Sequence, residues 1–103
     1  MKRKENPEIG YFDIFNFLNK EDDLILEIKK KSIDIILDCS SNKIKKSFLF
    51  DIISFQRKIK RCIVIILPLE KQKNYPDDLN IVPTKREALD FIFFEQIQRK
   101  IGF

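Results

Sequence analysis

Histidine and tryptophan are absent from this 103-residue sequence, and glycine and cysteine each occur only twice. Each shortage closes a chemistry. Without histidine there is no Ser-His-Asp or Cys-His arrangement and no zinc site built on imidazole. Two cysteines are too few for a four-thiolate metal site. Gly10 and Gly102 lie at opposite ends, so no glycine-rich phosphate loop can form. No apolar run approaches the ~20 residues of a membrane span. The basic start MKRKENPE is followed by no apolar signal core, and the expectation is a cytoplasmic chain with no membrane partner. Acid–base chemistry would fall on carboxylates and lysines, and no convergent pair of them is evident. The chain is therefore expected not to be an enzyme and to need no cofactor or metal.

What remains suits a folded protein. Hydrophobic residues make up 44% and charged residues 35%, enough for one core in one domain over residues 1–103, with 1–10 as a flexible start. YFDIFNF (11–17) is aromatic and β-branched enough for a strand. EDDLILEIKKK (21–31) places its acids first and its lysines last, as the helix dipole favours. IDIILDCS (33–40) predicts a strand. CIVIIL (62–67), apolar throughout, predicts a central strand covered on both faces. Between them SFLFDIISFQRKIK (47–60) repeats Phe48, Ile52, Phe55 and Ile59 at helical spacing. LNIV (79–82) suits an edge strand. Thr84 and Glu87 then form a T-x-x-E capping box, with Gly102 as a left-handed closing residue and Phe103 as its apolar partner. The fold class expected is α/β: a single layer of mixed or parallel sheet with helices packed against it. Cys39 and Cys62 would sit at opposite ends of neighbouring strands, roughly 20 Å apart, and stay reduced.

This order of elements resembles the STAS domain of bacterial anti-sigma-factor antagonists. IDIILDCS, SFLFDIISF and CIVIIL resemble its central third, and NIVPTKREALDFI is similar to its last strand and final helix. The ending VPT…EA…GF also resembles a group of small bacterial STAS-like proteins often labelled ribonuclease Z. A ribonuclease Z holds two zinc ions on a His- and Asp-rich motif, which a chain without histidine cannot build. The resemblance therefore implies a non-enzymatic regulatory or protein-interaction module with a protein partner, and homodimerisation is a further option.

Sigma-regulating STAS antagonists carry Asp-Ser-Ser-Gly at the start of this helix, and a partner kinase phosphorylates the second serine. Laid on this chain, the motif places that serine at Ser47, with Lys45-Lys46 replacing Asp-Ser and Phe48 replacing Gly. The residues themselves leave two readings open. Ser47 is either a helix cap or surface hydroxyl, or a phosphorylatable switch beside Lys45 and Lys46, which favour an anion at a helix N-terminus. Ser40 and Ser41 are the next hydroxyls on that rim, where open α/β sheets place ligands; otherwise they are turn residues.

Charge and exposed aromatics give two candidate surfaces. Residues 29–73 carry twelve Lys/Arg against four acids, a net +8, while the remainder carries a net −4. The basic stretch supports an alternative reading as an RNA- or other nucleic-acid-binding accessory protein, using Lys29, Lys30, Lys31, Arg57, Lys58, Lys60 and Arg61. On the final helix Leu89, Phe93, Ile97 and Ile101, with Ala88 and Ile92, form the row expected to dock. That leaves Phe91 and Phe94, together with Phe50 of the preceding helix, as the expected partner surface.

Overall fold

Four strands, β1 (Ile9–Asp13), β2 (Asp34–Asp38), β3 (Ile63–Ile66) and β4 (Ile81–Val82), pair in chain order into one parallel sheet. Tyr11 lies beside Ile36, and Ile36 beside Val64. The computed structural model describes residues 8–41 and 43–101. Four helices join or follow the strands: α1 (Glu21–Lys31), α2 (Lys46–Lys58), the single-turn α3 (Leu69–Gln72) and α4 (Lys85–Lys100). β2 and β3 are central, so their apolar runs are buried on both faces.

The sheet is wholly parallel, and neighbouring strands follow one another in sequence. Crossovers of one hand between such strands deliver their helices to one face. Accordingly Leu24 and Ile28 of α1 and Leu49, Ile52 and Ile53 of α2 share a core with Ile35, Leu37, Ile63 and Ile65. α4 follows the last strand and covers the other face, where Ala88 and Ile92 pack on Ile36, Val64 and Ile66. The strand order never reverses among the described strands, so the crevice that usually holds ligands in doubly wound sheets does not arise.

Several expectations are corrected in detail. The strand expected over 11–17 begins earlier, at Ile9, and stops at Asp13, whose carboxylate accepts from the Phe15 N–H (2.9 Å) and turns Ile14–Phe17 into a 3-10 helix. Ile9 and Gly10 thus belong to the sheet and not to a flexible start; residues 1–7 lie outside the described residues. Gly10 makes room for the Phe12 ring, which would stand 2.9 Å from an added Cβ. On α2 the buried row is Leu49, Ile52, Ile53 and Gln56, so Phe48, Phe55 and Ile59 flank the core rather than define it. Ser47 is not the cap of α2: Lys45 holds that position, with no cap bond from its side chain. At α4 the cap is as expected, with Thr84 Oγ1 accepting from the Glu87 N–H (3.2 Å). Gly102 and Phe103 lie outside the described residues.

Candidate functional site

Alternation along β2 puts Asp34, Ile36 and Asp38 on the face that α4 covers. The two aspartates lie at opposite edges of the sheet, Asp34 where the strands begin and Asp38 where they end. Each is met by one end of α4. Asp34 is fully buried. Its Oδ1 accepts from the Cys62 N–H (2.7 Å), and its Oδ2 accepts from Gln96 Nε2 (2.9 Å) and Arg99 Nη2 (2.6 Å). A buried carboxylate is tolerated only with such partners. Nearby Gln56, also buried, donates its Nε2 to the carbonyls of Ile33 (2.9 Å) and Cys62 (3.0 Å). These bonds tie α2, α4 and the starts of β2 and β3 together.

At the other edge Asp38 Oδ1 accepts from the Ser40 hydroxyl (2.6 Å) and backbone N–H (3.0 Å), and its other oxygen accepts from the Tyr11 hydroxyl. Lys85, the first residue of α4, places its ammonium 4.0 Å from the centre of the Tyr11 ring. Burial by itself would raise the Asp38 carboxyl, but the bonds from Ser40 and Tyr11 and the charge of Lys85 outweigh it and hold it below its ordinary 3.8. Burial, with the Asp38 bond and charge and the charge of Asp13, pushes the Tyr11 phenol well above its usual range. A carboxylate held low is a weak base, and a phenol held high stays a donor. The cluster therefore orders the rim and is poorly suited to removing a proton from Ser40.

The expected rim residues are brought to one edge but do not converge. Ser40 is engaged by Asp38; Ser41 and Ser47 are exposed. Lys46 reaches away to the Asn74 carbonyl (3.3 Å) and the Tyr75 ring, while Lys45 lies 6.0 Å from the centre of the Phe48 ring. Both cysteines are free thiols. Burial, reinforced by Asp38 and Asp13, pushes Cys39 up to about 12. Cys62 reaches about 12 through burial and the charges of Asp34 and Glu95, against the opposing Arg99.

α4 is rotated from the expected orientation. Ala88 and Ile92 are buried and continue into Gln96 and Arg99, which face Asp34. Ile97 and Ile101, expected to dock, are instead 57% and 62% exposed beside Phe94 at 61%. Phe91, expected on the partner surface, is half-buried against the Ile36–Val64–Ile66 cluster, whereas Phe50 is exposed as expected. Asp34, Gln96 and Arg99 were not singled out in the sequence. The available signal was an aspartate opening an otherwise apolar central strand, a position that demands a cationic partner. No protein-family model matches this chain, and no curated protein or solved structure does either. Among the described residues no helix is long and apolar enough to cross a membrane.

Proposed function

We propose that this chain is a non-enzymatic, STAS-like regulatory module that binds a protein partner through the outward face of α4. The observation that carries this reading is the exposed row Phe94, Ile97 and Ile101 on a helix whose opposite side is already docked. Its i, i+3, i+7 spacing is the anchor pattern by which a helix enters an apolar groove on another protein. Three such side chains fall short of the roughly 800 Å² per partner of a standard-size complex, so the association is transient. The strand–helix alternation supports the STAS-like reading, as does β4 leading directly into the Thr84-capped helix. On the same reading the Ser40, Ser41 and Ser47 rim is where a phosphoryl group would act.

The test replaces Phe94 and Ile97 with aspartate and compares proteins captured from a native cytoplasmic lysate treated with nuclease. A protein held by the natural chain and lost by the variant, with both giving the same circular dichroism, supports the reading. Capture of the same proteins by both rejects this surface. Sedimentation of the purified chain separates self-association from binding to another protein.

A further inference from the structure

We infer that the sheet edge where the strands begin binds the phosphate backbone of a nucleic acid. In a parallel sheet a full crossover helix runs back to the edge where the next strand starts, whereas the single-turn α3 stays by the far edge, its Gln72 bonded to the Leu67 carbonyl. α1 and α2 therefore end there, and the bond from Arg99 to Asp34 brings the end of α4 to the same edge. Each of the three ends in cations: Lys29, Lys30 and Lys31; Arg57 and Lys58; Arg99 and Lys100. Lys60 and Arg61 follow α2. Nine cationic residues from three distant stretches thus lie at or next to one pole, with the Lys31 ammonium turned to the Phe12 ring (5.5 Å from its centre).

Contacts show that the three groups adjoin. Lys29 Nζ lies 5.8 Å from the centre of the Phe55 ring on α2. Arg57, Lys60, Arg61 and Arg99 together line a groove of about 230 Å³, with Asn80 and the carboxylates of Asp78 and Glu95 on its wall. Lys60 takes a left-handed conformation (φ 59°), which closes α2 where its side chain and that of Arg61 line this groove. Among the described residues Arg99 pairs with Asp34, and Arg57 with Asp78 at 3.6 Å. The Arg57 pair is well exposed and weak, so a phosphate can displace Asp78. The Arg99 pair fixes a guanidinium at the groove.

Complementing helix dipoles explains cations in each last turn, but not Lys60 and Arg61 beyond α2. A protein partner would need exposed apolar anchors in the groove. The groove's Ile53, Ile63 and Ile65 are instead buried and Cys62 and Leu79 only partly exposed, so most of the groups that can meet a ligand are charged or amide. Phosphate backbones are bound by such groups alone. This surface is separate from the outward face of α4 and does not depend on that reading.

The test is fluorescence anisotropy with labelled single-stranded RNA, single-stranded DNA and duplex DNA of about 20 nucleotides, titrated from about 50 mM salt upward. The proteins are the natural chain, Lys60→Glu with Arg61→Glu, and a control of equal charge at the far edge, Lys43→Glu with Lys73→Glu. The expected result is binding at low salt that the groove variant weakens about tenfold or more. The slope of log affinity against log salt should fall by about 1.5 to 2 in magnitude, as two lost phosphate contacts require. The control should retain affinity within about threefold, with circular dichroism unchanged in both variants. No binding at about 50 mM salt, equal loss in the control, or equally tight binding of polyglutamate would each overturn the proposal. The three nucleic acids show which one the pole accepts best.

Discussion

The two faces of the sheet are held by different means. Under α1 and α2 the buried core is apolar except for the Gln56 amide at its end: Ile35, Leu37, Ile63 and Ile65 on the strands, with Leu24, Ile28, Leu49, Ile52 and Ile53 on the helices. Under α4 the apolar centre is small, Ala88 and Ile92 on Ile36, Val64 and Ile66, and it is bracketed by two aspartates of β2. A wide apolar face lets helices settle wherever they bury most area, since burial is non-directional and scales with area. A narrow face with fixed charges sets the rotation of its helix through directed bonds. That is why α4 leaves Phe94, Ile97 and Ile101 outside. Turning it inward would bury them at about 1.5–3 kcal/mol each. It would also expose Ile92 and Leu89 and leave Asp34 unpaired, a loss of about 3–5 kcal/mol for the carboxylate alone.

The sharpest way to break this contrast is Asp34→Ala. It leaves the Cys62 N–H, the Gln96 amide and the Arg99 guanidinium without their acceptor. We expect a loss of about 3 kcal/mol in urea unfolding, at the lower end for a buried pair because Arg99 keeps a third of its side-chain exposure. Asp34→Asn, which keeps an acceptor, should cost less. A loss under about 1 kcal/mol for Asp34→Ala would show that the apolar centre alone orients α4.

The apolar face is tested by Leu49→Ala, expected to cost about 2–4 kcal/mol because a fully buried side chain leaves a cavity. Ile97→Ala removes a similar side chain from the outward row and should stay within about 0.5 kcal/mol. Similar losses at both positions would mean that α4 is docked through the row expected from the sequence.

The smallest effect concerns the rim. Asp38 has a folded-state value below the 3.8 of an unperturbed carboxyl, so its contribution to stability is present above that value. The contribution is lost as pH falls below 3.8 through the folded-state value. The stability difference between the natural chain and Asp38→Asn, read by urea midpoint, should therefore be constant near neutral pH and shrink below about 4. A difference that grows on acidification would reverse the assigned sign.

Much of the architecture could be read directly. The all-apolar run at 62–67 marked a central strand, the acid-first, lysine-last order marked α1, and Thr84 with Glu87 marked the start of α4. Those signals are local: they depend on alternation, dipole and cap within a few residues. The turn at Ile14–Phe17 was missed because aromatic and β-branched composition resembles a strand until Asp13 bonds the Phe15 N–H. The helix rows were misjudged because apolar spacing says which side chains can share a face. It does not say that Gln56 and Arg99 belong on the inward one.

Helix and strand identities, their order and the charge at each helix end follow from neighbouring residues in the chain, because propensity, periodicity and dipole act over one or two turns. The tertiary structure decided how far each helix is turned about its axis, since that depends on the buried carboxylate of Asp34 finding Gln96 and Arg99 more than sixty residues away. It also decided that three separately basic helix ends meet at one pole, because parallel pairing in chain order returns them to the same edge.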